Sequence, residues 1–228
     1  MNKVLGPTLI TAALAASGVA AAPATAASTN AAATCPARVV IPHVRITHKQ
    51  TRVYATLTDD CGARYASWNI HNSAGRHDTI VFDPAAPNTR DFLDFGSTHR
   101  LGRHDVRPAN AHDPGDKRVK QATAQFLVKL GSGTTIKAIR DGNAVTVNGR
   151  VRQYDPSPGR WVAWRNARVA VEGRHGAAAP WVALAGRVRA DRAGRVTARV
   201  TAPRVRQFRL VTQATSTVWG STSSYAHP

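Results

Sequence analysis

The sequence predicts an all-β protein in which two tandem antiparallel β-sandwich domains follow an N-terminal signal peptide. Three observations lead to this prediction. Short runs of Val, Ile, Thr and aromatic residues alternate with polar residues, and clusters of Gly, Pro, Asn and Asp separate the runs. No long segment shows the periodicity of an amphipathic helix. A Gly/Ser stretch at residues 130–135, LGSGTT, divides two regions of different charge.

Residues 1–27 are expected to be a secretory signal peptide. Lys3 supplies a basic start, an Ala-rich apolar run follows, and Ala24-Thr25-Ala26 offers small residues at the cleavage site. The alternative is a retained membrane anchor, but the apolar run is short for a membrane span. We therefore expect a secreted, extracellular protein, which could be held at the cell wall.

The N-terminal domain is expected to span residues 28–131. Its strand candidates are residues 43–48, 52–61, 64–72, 78–83 and 118–130, and Trp68 and Ile70 are core candidates. The polar stretch 83–116 gives only weak strand signals.

Cys35 and Cys61 are the two cysteines of the chain. In an exported protein such a pair is typical of a disulfide, which at this loop length stabilises by roughly 3 kcal/mol in the chain-entropy model. Two thiols alone cannot fill the tetrahedral shell of a zinc ion, so a metal site is disfavoured.

The C-terminal domain is expected to span residues 136–228, after a linker at 132–135. Its strand candidates are residues 144–154, 166–174, 181–190, 195–202 and 206–213. In each of them apolar residues alternate with polar ones, which is typical of a strand with one buried face. The predicted inward residues of the 181–190 strand are Val182, Leu184 and Val188.

This second half resembles the immunoglobulin-like repeats of secreted and cell-surface actinobacterial proteins. The resemblance rests on a V-x-V-x-G-x-V opening at 145–151, a V-x-V strand at 169–171, a W-x-x-L start at 181–184, a D-x-x-G-x-V turn at 191–196, and Phe208-Arg209. It covers about residues 136–223. It implies an immunoglobulin-like sandwich for this half and a non-catalytic module that spaces or displays other parts. The first half resembles the same class only loosely.

The chain carries 31 Lys and Arg against 13 Asp and Glu, a formal net charge of +18. Residues 136–228 hold 16 of the basic residues and 4 of the acidic ones, so the charge concentrates in the second half. Such a balance favours attraction to polyanions. The candidate binding residues lie in the predicted outward register of the strands: Arg150, Arg152, Arg187, Arg189, Arg195 and Arg199. The alternative is that these arginines are only the solvated face of ordinary strands.

Two rival sites fall in the His/Asp-rich region 77–116. Asp83, Asp91 and Asp94 are weak candidates for a calcium site, and Asp91 and Asp94 would share a face if a helical turn formed there. The alternative is that these aspartates are solvated turn residues, with Phe92 and Phe95 covering the core. The dipeptides His77-Asp78, His104-Asp105 and His112-Asp113 supply possible ligands to a divalent-metal site, and possible acid/base groups to the second rival, a hydrolase. The alternative is that they are polar loop residues.

The sequence contains no nucleophile elbow, H-E-x-x-H zinc motif, P-loop or dinucleotide fingerprint. We therefore expect a non-enzymatic binding or structural module without a cofactor. The expected partner is an anionic cell-wall polymer or an acidic polysaccharide, whereas nucleic acid is disfavoured by export. The sequence predicts no membrane span in the mature chain and does not indicate its oligomeric state.

Overall fold

The computed structural model describes residues 35–83 and 89–228, so the predicted signal peptide lies outside the described residues. Within them the structure is all-β and contains no helix. Its strands are β1 Arg38–Val40, β2 Val44–Ile46, β3 Gln50–Asp59, β4 Tyr65–Asn72, β5 Gly75–Phe82, β6 Arg90–Gly96, β7 Gly102–His112, β8 Ala124–Leu130, β9 Ser132–Asp141, β10 Ala144–Asp155, β11 Arg160–Ala163, β12 Arg168–Arg174, β13 Val182–Arg189, β14 Arg195–Thr201, β15 Gln207–Thr212 and β16 Ser221–Thr222.

The first hydrophobic core lies between a three-stranded sheet, β1–β3–β6, and a five-stranded sheet, β2–β8–β7–β4–β5. Alternation along each strand turns its large apolar side chains inward. Trp68, Phe82, Phe95 and Phe126 are all at least 99% buried. Burial of each such side chain contributes roughly 1.5–3 kcal/mol, which fixes the register of these strands.

Strands β2 and β8 pair in parallel, with Val44 opposite Val128, whereas the sequence predicts antiparallel sheets throughout. The two strands are far apart in the chain and five strands, β3 to β7, lie between them, so no hairpin constrains their direction.

Two strands lie in the polar stretch where the sequence gives only weak signals. β6 forms where a helical turn was considered for Asp91 and Asp94, and β7 has four consecutive exposed residues, Arg107–Asn110, which hide its period. Pro108 sits in β7 at a register shift in its pairing with β4, where a bulge accommodates a residue that lacks an N–H group. Pairing with β4 and β8 therefore makes this segment a strand despite its composition.

The second core lies between two further sheets. In one of them β10 is central: β9 lies along one of its edges, and β14 and β11 lie along the other. The second sheet has the order β13–β12–β15–β16. Val145, Val147 and Val151 face Val169, Val171, Phe208 and Leu210 across this core. Val182 is 48% exposed instead of buried, because bulges in the β12–β13 pairing interrupt the alternation.

The predicted linker at 132–135 is the beginning of β9. Ser132 and Gly133 pair with Gln153 and Arg152 of β10, so these residues extend a strand. The Gly/Ser composition suggested a hinge, but the alternation of Ile136 and Ala138 continues this strand to Asp141. All the described residues belong to one compact unit, and the division into domains at 131 and 136 stays a prediction.

Hydrogen bonds connect the two cores across β8 and β9. The N–H of Gly131 donates to the carbonyl of Ile46 at 2.7 Å, and the indole N–H of Trp219 donates to the carbonyl of Val44 at 2.9 Å. Tyr154 of β10 is 95% buried and belongs to the first core cluster. The junction is therefore packed and hydrogen-bonded.

The predicted disulfide between Cys35 and Cys61 is confirmed. It fastens the segment before β1 to the turn after β3, next to the antiparallel pair that these two strands form. Cys61 has a positive φ of 50°, and its N–H donates to the carboxylate of Asp59 at 3.2 Å. The disulfide therefore stabilises the edge of the three-stranded sheet.

Candidate functional site

Four of the predicted arginines lie on one surface, the outward side of the sheet formed by β9, β10, β14 and β11. The strand register places Arg150 of β10 directly opposite Arg195 of β14, and Arg199 opposite Thr146. Arg152 lies two residues further along β10, on the same side. Lys137 of β9 pairs with Asn148 and adds a fifth basic residue. We call these five residues, Lys137, Arg150, Arg152, Arg195 and Arg199, the basic face.

The core fixes the orientation of the basic face. Val145, Val147, Val151 and Val196 alternate with the basic residues and are at least 99% buried. A slip of one residue in register would bury the arginines and expose these valines, which the hydrophobic effect opposes. The arginines therefore point to solvent whether or not they bind a ligand.

The basic face has little compensating negative charge. Arg199 forms an ion pair with Asp141 at 3.4 Å, but both side chains are largely exposed, at 67% and 83%, so solvent screens the contact. Among the described residues, no ion pair involves Lys137, Arg150, Arg152 or Arg195. Because like charges directly opposite each other on neighbouring strands repel, the pair Arg150–Arg195 is unfavourable in the free protein.

An exposed aromatic ring borders the basic face. Trp161 of β11 is 41% exposed and pairs with Tyr154, whose ring centroid lies 5.6 Å away. A Cβ placed on Gly133 of β9 would lie 3.7 Å from the Trp161 ring, so this ring reaches across β10 beside Arg152. The face therefore combines guanidinium groups with an apolar platform at one end.

The other two predicted arginines are not part of this surface. Arg189 lies in β13, opposite Arg168 of β12, in the other sheet of the second core. The side chain of Arg187 lies outside the described part of the structure. The sequence places each arginine in the outward register of its strand, but it does not show which strands are neighbours.

Lys137 was missed because no strand is predicted between the linker at 132–135 and the strand candidate that begins at residue 144. The alternation of Ile136 and Ala138 with Lys137 was the signal that would have found it. Arg168 was also missed, although it lies in the predicted strand 166–174 and is exposed at the first position of β12.

The three aspartates of the calcium hypothesis do not lie together as a helical turn would place them. Residues 90–96 form a strand, so Asp91 and Asp94 point to opposite sides of the sheet. The carboxylate of Asp91 accepts the N–H groups of Val81 and Phe92, both at 2.8 Å. Asp83 lies at the end of β5, and no group of three metal-ligating residues in the described parts of the chain includes any of the three.

Asp94 is bound by Arg52 through two hydrogen bonds of 2.8 and 2.9 Å, and this bonding holds the pKa of Asp94 below its usual value. Phe92 is 47% exposed, under the guanidinium of Arg52, instead of covering the core as Phe95 does.

Two histidines of the His-Asp dipeptides meet in the first core. His104 is fully buried, and its Nε2–H donates to the carbonyl of Arg100 at 2.9 Å. Its Nδ1 therefore accepts the Nε2–H of His77, at 2.9 Å. Burial lowers the pKa of both imidazoles, and the proximity of His104 adds to the effect on His77. Asp105 instead contacts Arg103 at 2.7 Å, so it does not assist this pair.

One group of potential metal ligands occurs in the described residues, Cys35, Asp59 and Cys61. Both sulfurs are joined in the disulfide, so they cannot act as thiolate ligands. A search for membrane spans finds no helix of suitable length and hydropathy among the described residues.

Comparison of the chain with protein-family models gives no match, and comparison with curated proteins gives no significant one. Among solved structures, the D00-D0 domain of Intimin is similar at 13% identity, over 83% of this chain and 97% of that one, with a TM-score of 0.27.

Proposed function

We propose that this chain is a secreted, non-catalytic binding module that holds an anionic polymer on its basic face. The observation that carries the proposal is the Arg150–Arg195 pair, which places two like charges side by side without an ion-pair partner among the described residues. An anion bound between them would relieve their repulsion. The two tandem immunoglobulin-like domains, the signal peptide and retention at the cell envelope are part of this proposal.

The arrangement of the basic face suits a linear polymer with regularly spaced charges. Outward residues recur every second position along a strand, so Arg150 and Arg152 are separated by about 7 Å. Trp161 at the end of the face offers a ring on which a sugar could stack. An anionic cell-wall polymer or an acidic polysaccharide provides both features, whereas export argues against nucleic acid.

The two rival functions gain little support. Asp91 and Asp94 are each engaged by their own partners, and they point to opposite sides of a strand. In the His/Asp-rich region the imidazoles of His77 and His104 bond to each other, and among the described residues neither imidazole is hydrogen-bonded to a carboxylate. The calcium and hydrolase hypotheses therefore lack the convergent groups that each requires.

The test is retention of the protein on purified bacterial cell walls, eluted with increasing salt. The informative variant is R150T/R195T, because threonine suits an exposed strand position. We expect wild-type protein to bind at low salt and to elute at moderate salt, since release of counterions makes such binding salt-dependent. R150T/R195T should elute at clearly lower salt while its thermal stability stays equal or rises.

The matched control is R38T/R64T. It removes the same charge from exposed positions in the part of the chain that surrounds the first core. If net charge alone governs binding, the two double variants will elute together. That result, or the absence of any retention of the wild type at low salt, would contradict the proposal.

A further inference from the structure

The sheet β13–β12–β15 carries a second group of basic side chains, which points away from the basic face. Arg168 of β12 lies opposite Arg189 of β13, and its carbonyl accepts the N–H of Gln213, just beyond β15, at 3.0 Å. One row of the sheet therefore holds Arg189, Arg168 and Gln213 in that order. Since the second core lies between the two sheets, this row and the basic face open to opposite sides.

These three residues line a concavity. Together with Gly186 they enclose a space of about 520 Å³, which we call the arginine pocket. A Cβ placed on Gly186 would meet no atom within 4 Å, so the wall at this residue is open. Arg168 and Arg189 are both exposed, so their guanidinium groups are accessible to a solute.

The carboxylates closest in sequence to the arginine pocket are already engaged. Glu172 of β12 is bound by Arg209 at 2.7 Å, four residues from Arg168. Asp191, in the turn after β13, accepts the N–H groups of Ala193 and Arg195 at 2.8 and 2.7 Å. Among the described residues no ion pair involves Arg168 or Arg189. Arg168 and Arg189, which are direct neighbours across the β12–β13 pairing, are therefore not neutralised by an ion pair within the described residues.

We propose that the arginine pocket binds a tetrahedral dianion, a phosphate or sulfate group. A phosphate group carries about −1.5 to −2 charges near pH 7, which matches two guanidinium groups, whereas a carboxylate carries one. Its oxygens can accept paired N–H bonds from both arginines, a geometry that guanidinium groups favour. The amide of Gln213 adds a further donor at the side of Arg168. The site is independent of polymer binding on the basic face.

The test is isothermal titration of the purified protein with inorganic phosphate and with sulfate, at constant ionic strength and pH 7.5. We expect saturable binding of one equivalent, weakened by about tenfold or more in R168Q/R189Q, since both guanidinium groups are then lost. The matched control, R38T/R64T, removes the same charge from exposed positions outside both the arginine pocket and the basic face, and should bind phosphate like the wild type.

Titration with three further ligands tests which chemical group the arginine pocket recognises. Glycerol phosphate distinguishes a phosphate ester from the free ion. If it binds more tightly than inorganic phosphate, the natural ligand is a phosphate ester; if the two bind equally, the pocket recognises the phosphate group alone. Acetate should bind far more weakly than phosphate, and equal affinity would overturn the charge-matching argument. Chloride at matched ionic strength should give no saturable heat.

Either of two results would overturn the proposal: absence of saturable phosphate and sulfate binding, or binding that R168Q/R189Q leaves unchanged. Neither result bears on retention of the protein on cell walls, which tests the basic face. Failure of one proposal is therefore distinguishable from failure of the other.

Discussion

Arg150 and Arg195 lie directly opposite each other, and each is anchored by buried valines on the same strands. Their repulsion is worth about 0.2–1 kcal/mol, less where solvent and salt screen it. Any ligand that binds the folded protein stabilises it by mass action, and an anion at this pair also removes the repulsion. The same two side chains therefore lower the stability of the free protein and raise its stability when an anion binds.

His104 makes the stability of the protein depend on pH. Its pKa, like that of His77, is lowered in the folded protein, so the unfolded chain takes up protons at a higher pH than the folded one. The stabilisation is fully present above about pH 6.5, the ordinary value, and is lost as the pH falls toward the lowered pKa values. We expect the free energy of unfolding to fall by up to about 1.4 kcal/mol per pH unit for each histidine.

Urea unfolding between pH 5 and pH 8 measures this effect while most carboxylates remain ionised. H104F removes one titrating group and should flatten the pH profile, although it lowers stability at every pH by leaving the Arg100 carbonyl without its donor. H227Q, at an exposed position, should keep the wild-type slope. A wild-type profile that is level from pH 8 to pH 5 would refute this account.

At the scale of single strands, Gly149 sets how closely two sheets approach. A Cβ at this position would collide with the side chain of Leu210 and would lie 2.6 Å from the carbonyl oxygen of Thr135. G149A should therefore lower the free energy of unfolding by about 1–3 kcal/mol, as overpacking of a core does. Its control is G176A, because a Cβ on Gly176 meets no atom within 4 Å.

Chemical denaturation of G149A and G176A measures whether the added methyl group lowers the free energy of unfolding. Equal stability of G149A and G176A would show that the β10 backbone yields at no cost. The contact between Gly149 and Leu210 joins β10 to β15 across the second core.

The sequence predicts β10 and β14 well because strict alternation of valine with polar residues has one structural interpretation. Gly/Ser composition hid β9, and exposed residues together with Pro108 hid β7, since pairing with neighbours, rather than local preference, makes these segments strands. The candidate site was likewise predicted only in part. Alternation shows that Arg150, Arg189 and Arg195 face outward, but only the pairing separates Arg189 from the other two.

At the scale of the whole molecule, the junction couples the two cores. The indole N–H of Trp219 donates to Val44, and the ammonium group of Lys129 lies 4.8 Å from the centre of its ring. W219F keeps an aromatic ring but removes the donor, so it should lower the free energy of unfolding by about 1–3 kcal/mol. Wild-type protein should unfold in one calorimetric transition, because packed contacts connect both cores.

The control for this experiment is W181F. Trp181 stacks between Arg174 and Arg209 on the surface of the second core, and phenylalanine preserves much of that stacking. Two separate transitions in the wild type, with W219F as stable as the native protein, would show that the cores unfold independently.

The bond between Trp219 and Val44 spans 175 positions of the chain. The carbonyl and N–H of Leu130 likewise find their partners in residues 217–219. A polypeptide synthesised from its N-terminus thus contains the upstream half of this junction first and completes it only after residue 219 has been added. Formation of the junction therefore requires residues 217–219. A truncated product that lacks them leaves these polar groups unpaired, and its backbone is then open to proteolysis.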